Sequence, residues 1–275
     1  MAGTVITFGN FKGGTGKTTN SAMIGNELAN QGYKTLLIDM DPQANATSLY
    51  LLTKQRLEGE VVKFDKTLMS AIADENLKSI VLNIKENLFL LPSFADFTSY
   101  PLFLEKKFPN SQFDRVAYFS KLIEPLKKDF DFILIDVPPT LSTYTDSALY
   151  GSDYTIIVLQ TQERSLVGAE AYVRYLQELI DNYDADFDIL GVLPVLLKNN
   201  AAVDLSTLDN ATASFGQNNM FQTLVKNMER LKRYDLIGII DVNKDPAADM
   251  HDRRVAKLYK NVTDELIIRL KEKEA

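Results

Sequence analysis

The chain has 275 residues, 45 % hydrophobic and 24 % charged, with a net charge of −7, one histidine and no cysteine. That length and composition suit one large α/β domain or two small ones, able to bury a core without staples. The missing thiols exclude a disulfide framework and any thiolate-held cluster, and the lone His251, which reads as a surface polar residue, excludes a histidine-rich metal site.

The chain enters the strand-like run 4–8 directly, with no signal peptide, and no apolar run approaches the roughly 18 residues needed to span a bilayer. A cytoplasmic location is expected. A glycine-rich loop follows, then a helix over 18–30 with Ile24 and Leu28 one turn apart and Gly32 as its stop. Strands are predicted at 35–39, 88–91, 132–136, 155–159, 189–193 and 237–240. Helices are predicted at 166–180, with Leu166, Val173, Leu176 and Ile180 on one stripe, and at 253–270, with Val255, Leu258, Val262 and Leu266 on another. Near-continuous β-branched strands imply burial on both faces. The predicted fold class is therefore α/β: a doubly wound, mostly parallel sheet with helices on both faces, in one domain spanning 1–275. Two segments resist this pattern. The aromatic-rich 94–109 reads as an irregular loop pinned to the core or as a partner-binding surface. The run 221–233 has helical spacing at Phe221, Leu224, Met228 and Leu231, yet 221–225 reads equally well as a strand.

The first loop, FKGGTGKTT at 11–19, sits between a strand and a helix, the context in which a phosphate-loop pattern carries a mechanism. Gly13, Gly14 and Gly16 leave backbone N–H groups free to converge on phosphate oxygens, and the helix start adds positive potential. Lys17 is placed to reach the β- and γ-phosphates of ATP, and Thr18 to offer its hydroxyl to Mg²⁺; Thr15 and Thr19 complete the binding loop. Asp39 and Asp136 each end an apolar strand. Strand C-termini form the ligand edge of an open parallel sheet, and such a carboxylate anchors Mg²⁺ in phosphate-loop enzymes.

Together, FKGGTGKTT, DMDPQANAT at 39–47 and FILIDVPPT at 132–140 resemble the ParA-type ATPases that segregate plasmids and chromosomes. These belong to the deviant-Walker group, with MinD and the nitrogenase iron protein. The resemblance runs over nearly the whole chain. It implies a homodimer sandwiching two ATPs, with Lys12 crossing into the partner's site to offset charge at the γ-phosphoryl group. It implies that Asp41 orients or activates the attacking water, that Asp39 supports Mg²⁺ and the loop lysines, and that Asp136 holds Mg²⁺ through water. The catalytic set is thus Lys12, Lys17, Asp41 and Asp136. Phe11, where the usual pattern has glycine, resembles the ParA branch.

The family implies a nucleoid-associated ATPase that binds double-stranded DNA non-specifically as an ATP dimer. A ParB-like centromere-binding partner stimulates hydrolysis and thereby releases it. Residues 221–260 carry nine Lys/Arg against six Asp/Glu, a basic face on an acidic body. Arg230 matches a family DNA-contact arginine, with Lys226, Lys232 and Arg233 beside it. The resemblance also favours a strand at 221–225 followed by a loop. A second family arginine is replaced by Lys198-Asn199-Asn200, where Lys198 is the substitute. Arg253, Arg254 and Lys257 read as a solvated helix face. No DNA-reading helix-turn-helix is expected before the first strand. The alternatives are a ParA-like ATPase positioning another cargo, a MinD-like membrane ATPase, for which the polar end of the chain supplies no amphipathic anchor, and a metabolic ligase on the same fold.

Overall fold

The computed structural model describes residues 3–61, 63, 65–196, 198 and 201–274. In chain order the elements are β1 (Thr4–Gly9), α1 (Lys17–Asn30), β2 (Thr35–Asp39), α2 (Asn45–Glu58), α3 (Leu68–Ala73), β3 (Leu82–Lys85), β4 (Leu88–Leu91), α4 (Tyr100–Lys107), α5 (Gln112–Ile123) and β5 (Phe132–Asp136). Then come α6 (Thr143–Tyr150), β6 (Tyr154–Gln160), α7 (Glu163–Tyr183), β7 (Asp188–Val195), α8 (Ala202–Phe215), α9 (Glu229–Ile237) and α10 (Met250–Glu274).

The seven strands among the described residues form one sheet, ordered β3-β4-β2-β5-β1-β6-β7, parallel throughout except for the β3–β4 edge pair. Alternation along the strands explains why both faces are covered. Ile6, Phe8 and Leu134 join the cluster under α1 and α10, whereas Val5, Ile133 and Ile135 join the one under α4 and α5. A sheet whose strands are apolar on both sides is stable only between two helical layers. The predicted doubly wound α/β class is what forms. Because β1 connects leftward through α1 to β2 while β6 lies on its other side, the carboxyl ends of β1, β5 and β6 open a crevice at the point where the winding reverses.

Three expectations need correction. The run 237–240 is not a strand: Ile237 ends α9, Gly238 takes φ 79°, and Ile239 and Ile240 are buried, with the Ile239 N–H donating to Thr53 Oγ1 of α2 at 2.9 Å. A short apolar run buries as well against a helix as in a sheet, and the glycine decides which. The segment 94–109 is not irregular: a 3₁₀ turn (Ala95–Ser99) leads into α4, whose first turn accepts Pro101 because that position needs no N–H. Its aromatics do pin it to the core, with Phe97 and Tyr100 buried and stacked at 5.0 Å. Residues 221–225 run beside β7 in parallel, but among the described residues only Val225 bridges to it, at Val195, with Met220 just before the run bridging to Val192; the helix α9 starts at Glu229, where the expectation is a continuing loop. The edge strand β3 was missed, although the Glu86-Asn87 turn, with Asn87 at φ 61°, marks a hairpin.

Candidate functional site

The phosphate loop spans Asn10 to Gly16 between β1 and α1. Gly14 and Gly16 have φ of 73° and 93°, conformations that a side chain would strain, so their amides are free to turn inward. The loop is tied down at both ends. At its start, the Asn10 amide donates to the carbonyls of Val158 at 3.0 Å and Ser165 at 3.3 Å, while Asn10 Oδ1 accepts from the Lys12 N–H at 2.9 Å. Phe11 lies edge-on to Tyr172 and Tyr175 of α7, with centroids 5.1 and 5.3 Å apart, so this departure from glycine fills an aromatic pocket. At the loop's end, Asn20 donates to Gly16 O at 2.8 Å and accepts from the Tyr259 hydroxyl at 3.1 Å, which ties α10 to the start of α1.

The two loop lysines have different surroundings. Lys17 is buried and donates to the Asn10 carbonyl at 3.1 Å. Burial lowers its pKa, against the opposing pull of Asp136 and then Asp41. Lys12 is half-buried, and its ammonium donates to Gln160 Oε1 at 3.5 Å; among the described residues no carboxylate pairs with it.

Asp39 and Asp136 face each other in register across β2 and β5, and both are fully buried. Asp39 is saturated: Oδ2 accepts from the Thr47 N–H and hydroxyl, each at 2.8 Å, and Oδ1 from the Asp41 N–H at 3.1 Å. It therefore fixes the start of α2 and the loop that carries Asp41. Burial raises its pKa, against those hydrogen bonds. Asp136 is the opposite case: neither carboxylate oxygen has a hydrogen-bond partner among the described residues. Burial first, then the Asp39 charge, pushes its pKa up; Thr18 and Lys17 pull it down, the hydroxyl without full hydrogen-bond geometry. An unpartnered buried carboxylate beside a threonine hydroxyl is the donor set a hard divalent cation takes, so Asp136 and Thr18 fit Mg²⁺. Asp41 is largely buried, with Oδ1 accepting from the Gln43 N–H at 2.9 Å. Among the described residues Thr15 also has a buried hydroxyl without a hydrogen-bond partner, whereas Gly13, Thr18 and Thr19 are accessible.

A cavity of about 280 Å³ continues from Gly14–Gly16 and Thr19, walled by Leu196, Lys226, Met228 and Tyr259. It extends the phosphate loop with a partly apolar chamber of the kind a nucleoside needs. No spacing in the sequence announces it, because its walls come from three distant segments.

The basic residues divide. A cleft of about 510 Å³ is lined by Lys226, Arg230, Arg233, His251 and Arg254. Lys226 and Arg233 are exposed. Lys232, also exposed, lies outside that lining and pairs with Glu229 at 2.8 Å. Arg230 is tied to Asp249 and to Asp252, the latter at 3.4 Å, with only a tenth of its side chain exposed. Lys198 is exposed, and its N–H donates to Asp204 at 3.1 Å; Asn199 and Asn200 lie outside the described residues. Among the described residues no helix is long and apolar enough to cross a membrane.

A strand–loop–helix phosphate cradle with aspartates ending the two neighbouring strands defines a phosphate-loop nucleoside triphosphatase fold. Residues 3–189 match the family described as an AAA domain. The chain is 27 % identical over 264 residues to the sporulation initiation inhibitor protein Soj of Bacillus subtilis, covering 96 % of this chain and 98 % of that one. It is 30 % identical over 194 residues to the virulence plasmid ParA family protein pGP5-D of Chlamydia psittaci, covering 68 % and 67 %. Its fold superposes on that of a Cyanothece McdA variant in complex with ATP with a TM-score of 0.77, at 21 % identity and 96 % coverage of both chains. The chain belongs to the ParA-type partition ATPases.

Proposed function

We propose that this protein is a DNA-segregation switch: ATP and Mg²⁺ close two copies face to face, the dimer binds DNA without reading bases, and a ParB-like partner triggers hydrolysis and release. The observation that carries the reading is the contrast between the loop lysines. Lys17 is buried within its own loop, whereas Lys12 is held at its backbone and, among the described residues, has no carboxylate to neutralise it. A cation kept ready at the mouth of a phosphate site is useful to a second phosphate chain, and on a partner it makes the site complete only in the dimer. Gly13 to Thr19 cradle the triphosphate, and Thr18 and Asp136 hold Mg²⁺, which when bound neutralises charge between the β- and γ-phosphates. Asp39 supports this indirectly, by fixing Asp41, and Asp41 orients the attacking water. Lys226, Arg230, Lys232, Arg233 and Lys198 supply the DNA face, whose contacts are to phosphate and therefore steeply salt-dependent.

The test uses Asp41→Ala protein, which binds ATP without turning it over. With ATP and Mg²⁺ it elutes as a dimer in size exclusion with light scattering; adding Lys12→Ala returns it to a monomer that still binds ATP. A hydrolysis-blocked protein that stays monomeric at saturating ATP refutes the reading. For DNA, alanines at 226, 230, 232 and 233 flatten the log–log salt dependence by about three per subunit; an unchanged slope removes this patch.

A further inference from the structure

Asn10 touches both halves of the phosphate loop at once. Its backbone carbonyl accepts from Lys17 Nζ at 3.1 Å, its Oδ1 accepts from the Lys12 N–H at 2.9 Å, and its amide donates to Val158 O at 3.0 Å and Ser165 O at 3.3 Å. The residue is buried, 2 % exposed, so these bonds are not shared with water. Val158 belongs to β6 and Ser165 to the first turn of α7, so one side chain joins β1, β6 and α7 at the point where Lys12 begins. The next turn of α7 closes the arrangement: a Cβ on Gly168 would stand 3.0 Å from Asn10 Oδ1 and 3.7 Å from both the backbone N and the Cβ of Lys12. Phe11, between the two, is seated on Tyr172 of the same helix. Lys12 thus takes its direction from α7, through Asn10. Of Asn10, Lys17 uses only the main-chain carbonyl, which any residue supplies.

We propose that Asn10 is a positioning residue that aims Lys12, with the first two turns of α7 as its backing, and that it leaves Lys17 and nucleotide binding largely untouched. Displacing α7's first turn relative to β1 redirects Lys12, which makes that helix a lever on turnover. The inference rests on the reading above, in which Lys12 acts on the triphosphate.

Four proteins test it: Lys12→Ala, Asn10→Ala, Gly168→Ala and the Lys12→Ala/Asn10→Ala double variant, each measured for ATP affinity, kcat and melting temperature. Asn10→Ala is expected to lower kcat by about 10²-fold, the scale of a misplacement near 1 Å, with ATP affinity within about threefold of wild type. Gly168→Ala is the independent arm. The helix gain of alanine over glycine opposes the crowding against Asn10 Oδ1, so the melting temperature stays near that of wild type while kcat falls; a purely structural role for this contact moves the two together. The double variant is expected to be no slower than Lys12→Ala alone, because Asn10 acts through that lysine. If Lys12→Ala hydrolyses ATP at the wild-type rate, the role of Lys12 is wrong and this inference falls with it. If Lys12→Ala is slow but Gly168→Ala keeps the wild-type kcat, or the double variant shows additive losses, the positioning role alone is overturned. Gly168→Ala decides the matter even if Asn10→Ala does not fold.

Discussion

Replacing Asp136 by asparagine is expected to stabilise the nucleotide-free protein while abolishing ATP hydrolysis. The carboxylate is fully buried and neither oxygen has a hydrogen-bond partner among the described residues. An ionised group in that state costs several kcal/mol even after relaxation, and asparagine removes the charge at almost constant volume. The amide takes part of this back: its two N–H donors need partners, and Lys17 loses an attractive neighbour, together worth about 1–2 kcal/mol. A net gain near 2 kcal/mol remains at neutral pH, or roughly 4–8 °C in melting temperature for a chain of this size. The sign follows from the proton count. The folded pKa lies above the unfolded one, so as pH rises from the ordinary carboxylate range the unfolded chain releases a proton that the native state still holds, and wild-type stability falls until the native group also ionises. Asparagine has no such loss. Scanning fluorimetry without nucleotide or Mg²⁺ is therefore expected to show the two proteins close together near pH 4 and the variant ahead by a margin that widens toward pH 8. A variant that melts below wild type at pH 8, or a margin independent of pH, refutes the claim that Asp136 is a buried, unpartnered carboxyl held for a ligand.

Three further outcomes follow from the packing. Gly238→Ala places a Cβ 2.6 Å from the backbone of Leu52 and Thr53 at a φ of 79°, so it should cost about 3 kcal/mol or more, read as a lower urea midpoint. Phe11→Gly loses two edge-to-face contacts worth about 0.5–1.5 kcal/mol each and loosens the backbone, so it should destabilise by about 2–3 kcal/mol by the same measurement. Tyr259→Phe deletes the hydroxyl that holds Asn20, and with it part of the grip on Gly16; a loss of about 1 kcal/mol and a severalfold weaker ATP titration by calorimetry are expected.

The phosphate cradle was legible because its parts are consecutive: strand, glycines, lysine and helix lie within one local unit, and spacing along the chain is spacing in space. Asp39 and Asp136 were legible for a related reason. Each ends an apolar run, and strands in register bring such ends level. What spacing did not reveal is set by contacts between distant segments. Tyr259 reaches Asn20 from the other end of the chain, and the chamber beside Gly16 needs Leu196, Met228 and Tyr259 together. Asn10 reads as an ordinary polar residue after a strand until Ser165 and Val158 arrive beside it. The apolar run 237–240 misled because periodicity measures the wish to be buried, and Thr53 of α2 offered a partner that no neighbouring strand did.

Arg230 shows how far a matched position constrains a role. As one cation in a basic run it reads as a phosphate contact. In the folded chain it is engaged with Asp249 and Asp252, and Asp252, fully buried, also accepts from the Tyr234 hydroxyl at 2.8 Å and from the Asp249 N–H at 2.9 Å. Truncating the arginine leaves that buried carboxylate without its cation, a loss of stability whatever the arginine does for DNA. The ion pair also sets the geometry of the cleft. It fastens the start of α9 to the start of α10, and Arg254 and His251 line the same cleft as Lys226 and Arg233. Arg254, which reads from the sequence as part of a solvated helix face, thereby joins the same concave surface. Lys226 and Met228 line both this cleft and the chamber beside the phosphate loop.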